Sequence, residues 1–161
     1  MQYIIAVDGS YQPEDATVVG AVVIANASTQ LVTKTAAITC DKEMFKSSRN
    51  VYGECAAALV AFQLMRRYLD DDPTSSFVLV YDYDGIEKWI KGVWATKKRL
   101  TREYVKGFQM CDLPLDKITF YNQKSHKGIT DFYSYLNDFA DKVCNNTVKA
   151  EFVVRSNLGE F

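Results

Sequence analysis

Four carboxylates, Asp8, Glu54, Asp82 and Asp141, are the residues of this chain whose types and positions best suit chemistry. Asp8 closes the apolar run that begins at Tyr3 and opens Asp-Gly-Ser, and Asp82 follows the apolar run Phe77 to Tyr81. Taken singly, three of them have ordinary explanations. Asp-Gly favours turns, an acid such as Glu54 suits the first turn of a helix, and Asp141 reads as a solvated helix residue. Asp82 is less ordinary, because an acid closing a buried strand costs free energy unless it is paired or bound to metal. As a set they occupy the ends of two strands expected to be neighbours, the helix crossing between them, and the helix after the last strand. Carboxylates gathered at one sheet end repel and raise one another's pKa. They stay ionised together most readily around hard divalent cations, Mg2+ or Mn2+.

The elements that must position these acids follow from hydrophobic periodicity. Residues 3–8 read as a short central strand, and 18–26 and 31–40 as two more strands joined by a hairpin turn. The period then changes. Cys55, Leu59, Phe62, Met65 and Leu69 fall at helical spacing over 52–69, and Pro73 ends the helix. Residues 77–82 read as a fourth strand, 84–94 and 100–110 as helices, 117–124 as a fifth strand and 131–144 as an amphipathic helix. This order predicts an α/β fold: a five-stranded mixed sheet of three antiparallel strands, then parallel strands reached by right-handed crossovers, with helices on its faces. Residues 1–145 read as one domain, and 146–161 as a tail that is either an extra strand or partly disordered.

The 161 residues are 48% apolar and 24% charged, which suits one ordinary globular domain. No apolar run is long enough to cross a bilayer, so no membrane partner is expected. The chain opens on a strand without a basic n-region or cleavage site, and a cytoplasmic location is expected. Cys40, Cys55, Cys111 and Cys144 form no Cys-x-x-Cys pair, which favours reduced thiols over a zinc site. Nothing signals an oligomer, and a monomer is expected. The net charge of −1 does not announce a nucleic-acid binder. Its distribution says more: Lys88, Lys91, Lys97, Lys98, Arg99, Arg102 and Lys106 crowd one segment against Glu103 alone. Trp89 and Trp94 lie in that segment, and at least one of them is expected in the core.

The set IIAVDGSY, NVYGE opening a helix, VYDYDGIEKW, and KSHKG followed by NDFADK resembles type 1 ribonuclease H over residues 3–144. The resemblance implies a ribonuclease H-like fold with a metal-binding tetrad of Asp8, Glu54, Asp82 and Asp141, two Mg2+ or Mn2+ ions per site, and an auxiliary His126. Asp8 would bridge the ions, Asp82 and Asp141 would hold the one carrying the attacking water, and Glu54 the one at the leaving 3′ oxygen. His126 would shuttle protons. The segment between His126 and Asp141 is longer than the family pattern, with TDFYSYL inserted. Asn137 and Asp141 match the pattern of the family's last helix, while Asp138 and, more weakly, Asp131 remain rivals for the fourth position. Asp84 rivals Asp82 but reads better as the cap of the helix beginning at Gly85.

The expected activity is endonucleolytic cleavage of the RNA strand of an RNA–DNA hybrid by two-metal catalysis. By the same resemblance, Asn50 and the backbone beside Gly9 and Ser10 would read 2′-hydroxyls, and Lys97, Lys98 and Arg99 would grip the phosphates of the DNA strand. Two alternatives stay open: an inactive module of the same fold that only binds hybrid or mediates assembly, and a DNA-directed nuclease.

Overall fold

Ile4, Ile5, Ala6 and Val7 are buried on both faces of strand β1 (Gln2–Gln12), as expected of a strand at the centre of a covered sheet. In the computed structural model, which describes residues 1–124 and 128–160, β1 pairs antiparallel with β2 (Thr17–Asn26), and β2 with β3 (Leu31–Cys40). Helix α1 (Asn50–Asp71) then crosses to β4 (Ser76–Tyr81), which lies parallel to β1 on its other side, and β5 (Ile118–Asn122) lies parallel to β4. Between β4 and β5 come helices α2 (Gly85–Ile90) and α3 (Arg99–Met110), and α4 (Phe132–Cys144) follows β5. The strand order is β5-β4-β1-β2-β3-β6.

Two apolar layers hold this arrangement. On one face α1 packs on the sheet, its Leu59, Phe62 and Met65 sharing a core with Ile5, Val7, Val22 and Ile38, and α3 packs on α1, where Tyr104 and Phe108 meet Phe62. On the other, Leu136, Ala140 and Val143 of α4 cover Ile4, Ala6, Ala21, Val23 and Val80. The stripe predicted for α1 is buried along its length.

The sheet has six strands rather than five: β6 (Phe152–Arg155), parallel to β3, is the extra strand that is one of the two readings of the tail. It forms because the tail has anchors of its own: Glu151 N–H donates to Thr35 Oγ1 at 2.8 Å, Ser156 N–H to Thr39 O at 2.8 Å, and Leu158 is fully buried. The helix expected over 84–94 stops at Ile90. Gly92 takes a left-handed φ of +72° and the amides of Val93 and Trp94 fold back onto Lys88 O, so Trp94 meets Trp89 edge-on at 5.6 Å. All four cysteines are free and buried. Among the described residues no helix is long and apolar enough to cross a membrane.

Candidate active site

The start of α1 approaches the sheet so closely that only glycines fit. A Cβ on Gly9 would lie 2.3 Å from Glu54 N, and one on Gly53 2.6 Å from Val19 O and 3.0 Å from the Gly9 Cα. Backbone therefore rests on backbone where β1 and β2 pass under the first turn of α1, and Glu54 is driven down beside Asp8. The β1–β4 register, Ala6 opposite Val80, carried two residues further, sets Asp8 beside Asp82. Oxygen atoms of Asp8, Glu54 and Asp82 all lie within 4.8 Å of one another, a spacing at which one ion can be shared.

Asp8 is 6% exposed and Glu54 3%. Burial first, and the charge of Asp82 second, push the Asp8 carboxyl up to about 7. Glu54 is held well above the usual carboxylate range by burial and then by Asp8 and Asp82. A hydrogen bond between the two favours charge on Asp8 and the proton on Glu54. Glu54 Oε2 is buried with no protein partner. Several crowded carboxyl groups with an orphaned oxygen among them are an environment that a divalent cation completes, and an all-oxygen donor set suits Mg2+ or Mn2+.

These acids open into a cleft of about 620 Å³ whose other walls include Gly9, Asn50, Tyr83, Gln123, Lys124, Asn137, Asp138 and Asp141. Asp141 lines the cleft and its charge adds to the rise at Asp8, but it stands outside the 4.8 Å cluster and accepts from Asn145 Nδ2 at 3.3 Å. Asp138 shares the cleft and pairs with Lys142 at 3.0 Å. Asp131 is the N-cap of α4: its side chain accepts from Ser134 N at 2.8 Å while Ser134 Oγ accepts from the Asp131 amide, a reciprocal capping box. Asp84, expected to cap α2, makes no side-chain cap bond. Its carboxylate instead accepts from Asn122 Nδ2 at 2.6 Å and Lys124 Nζ at 3.0 Å, because the end of β5 brings stronger donors within reach. Ser10 is not among the lining residues, and His126 lies outside the described residues.

The basic segment forms a second groove, of about 380 Å³, lined by Lys97, Lys98, Ser47, Ser48, Thr101 and Trp89. Tyr83 lines both this groove and the acidic cleft, so the two share a wall. Arg99 lies outside this groove, within 4.0 Å of Glu103. Neither tryptophan is fully buried. Trp89 packs against the core edge, and Trp94 is half-buried under the Lys88 ammonium, 5.1 Å from its ring. Gln123 and Lys124 were not singled out from sequence. Gln123 carried only its place just after β5, and Lys124 only its place at the head of KSHKG.

No family model and no curated protein matches the chain. Solved structures do. The RNase H1 of the halophilic archaeon Halobacterium salinarum NRC-1 matches with a TM-score of 0.66 at 14% identity, over 92% of this chain and 100% of the other. LC11-RNase H1, isolated from compost by a metagenomic approach and solved in complex with an RNA/DNA hybrid, matches with a TM-score of 0.69 at 15% identity, over 89% and 94%. The chain has the ribonuclease H fold. A third ribonuclease H, the N-terminal domain of a Mycobacterium tuberculosis protein, matches with a TM-score of 0.62 at 13% identity, over 91% and 98%. In this chain of ribonuclease H fold, β6 lies at the β3 edge of the sheet.

Proposed function

We propose that this protein is an endoribonuclease that hydrolyses the RNA strand of RNA–DNA hybrids. One observation carries the reading: Asp8, Glu54 and Asp82, from three separate elements, converge within 4.8 Å at the sheet end of a ribonuclease H fold. The donor set and the partnerless Glu54 oxygen fit two divalent ions, Mg2+ or Mn2+, held by Asp8, Glu54, Asp82 and Asp141. Such ions, when bound, supply an activated water and offset the charge of the phosphodiester and its leaving oxygen.

The chain's own residues do the remaining work. Asp8 and Glu54, pressed together by the glycine contact, hold the anionic centre in fixed geometry. Asn50 and the backbone of Gly9, which line the cleft, read the 2′-hydroxyls of the strand there, with the Ser10 backbone next to them outside the lining. Lys97 and Lys98 in the basic groove, with Arg99 outside it, grip the phosphates of the DNA strand, and Tyr83 separates the groove from the cleft. His126 assists proton transfer, so His126→Ala is expected to slow turnover while metal binding persists.

Labelled hybrid, RNA duplex, DNA duplex and branched DNA, incubated side by side with Mg2+, test the reading. Cleavage confined to the RNA of the hybrid, and abolished by chelation and by Asp8→Asn, is the expected result. Hybrid left intact beyond the Asp8→Asn background overturns it: binding without cutting marks a recognition module, and cutting of branched DNA marks a DNA nuclease.

A further inference from the structure

Five acids line the cleft: Asp8, Glu54, Asp82, Asp138 and Asp141. Lys124 is the one lysine or arginine lining it among the described residues. Its ammonium lies 3.0 Å from Asp84 Oδ1, while its side chain is 61% exposed. An ammonium has three N–H donors, and this contact engages one of them.

Asp84 is tied from several directions. Asn122 Nδ2, from the last residue of β5, donates to it at 2.6 Å, and the Lys88 ammonium of α2 stands 3.7 Å away. Asp84 thus joins the chain just after β4 to the chain just after β5, and Lys124 extends from that joint. As a stability device the arrangement is weak, because exposed ion pairs contribute about 0–1 kcal/mol. As an aiming device it is well made. A long flexible side chain is fixed by a carboxylate that is itself fixed, at the edge of a cleft otherwise hostile to a polyanion.

We propose that Lys124 contacts a backbone phosphate of the strand in the cleft, and that Asp84 is the positioning residue that aims it. The inference rests on the nuclease reading above for the identity of the strand. Lys124 counters the repulsion between the carboxylates and the entering phosphates as a point charge. Asp84 acts on substrate only through Lys124.

The test uses the full chain, Lys124→Ala, Lys124→Arg, Asp84→Asn and the double variant Asp84→Asn/Lys124→Ala. Steady-state cleavage of hybrid in Mg2+ gives one readout, and the salt dependence of hybrid binding in EDTA, by fluorescence anisotropy, gives another. Lys124→Ala is expected to lower kcat/KM about tenfold, the worth of one charge-assisted hydrogen bond. It should also flatten the slope of log affinity against log salt by about one, and Lys124→Arg should restore most of both. Asp84→Asn should lower kcat with KM unchanged or reduced, and should cost nothing further once Lys124 is alanine. Lys124→Ala matching the wild type in rate and slope overturns the proposal. So does an Asp84→Asn loss that persists without Lys124, which would mean that Asp84 supports the turn carrying Asp82. If even the wild-type chain does not cleave hybrid, the nuclease reading fails alone. The binding slope then decides: flattened by Lys124→Ala it keeps the phosphate contact, and unchanged it removes it.

Discussion

Asp8 responds to pH in the opposite sense to an aspartate held by a salt bridge. Its carboxyl ionises near 7 in the folded chain, far above the ordinary value of 3.8, because burial and Asp82 oppose the charge. The unfolded chain gives up that proton more readily. Stability from this group is therefore fully present below the ordinary aspartate value, drains away as pH rises, and stops falling above about 7. Asp41, Asp72 and Asp84, held low by their hydrogen-bond donors, push the other way, so the difference between variants is the clean measure. In EDTA, Asp8→Asn is expected to melt above the wild type by a gap that widens from about pH 4 to 7 and then stays constant. A pKa unit is worth about 1.4 kcal/mol, so the gap should reach several degrees. The same variant in Mg2+ should lose activity by on the order of a hundredfold or more. A gap that does not change with pH would remove the electrostatic account.

Among the elements, α1 is the one held by main chain resting on main chain at Gly9 and Gly53. Gly53→Ala puts a methyl group 2.6 Å from Val19 O, and the neighbours are main chain that cannot rotate away. Overpacking of this kind costs about 1–3 kcal/mol. Denaturant melts should show that loss, together with a fall in hybrid cleavage as Glu54 is lifted from Asp8. The loop leading into α3 makes a different prediction. Replacing Lys97, Lys98 and Arg99 with alanine should flatten the salt dependence of hybrid binding by about one to three, with little change in melting temperature, since all three side chains are exposed. How far these elements could be read from sequence differed by cause. Cys55, Leu59, Phe62, Met65 and Leu69 announced α1 because one apolar stripe faces one core. Asp8 and Asp82 were readable because each breaks an apolar run. The early end of α2 was not, because it depends on the left-handed turn at Gly92 and on contact between Trp89 and Trp94. Nor was the role of Asp84, whose partners Asn122 and Lys124 lie across the sheet end rather than along its own helix. Lys124 opened the KSHKG motif without standing out in it, and its importance comes from the acids around it.

At the scale of the whole molecule, the tail belongs to the sheet. Leu158 is fully buried and β6 covers the outer edge of β3, so Leu158→Ala is expected to cost about 2–5 kcal/mol in chemical denaturation. Removing residues 146–161 should bare that edge and raise concentration-dependent association in light scattering. A truncated chain that stays dispersed would make β6 ornamental. The touching main chains at Gly9 and Gly53 matter in another way for how such a protein can change over generations. Most pockets drift by swapping one side chain for a slightly larger or smaller one. Here the gap between two of the carboxylates is set by atoms that every amino acid has, and any β-carbon added would prise the helix away before it reshaped the pocket. The spacing of this anionic centre is thus closed to gradual tuning, and variation is left to its rim.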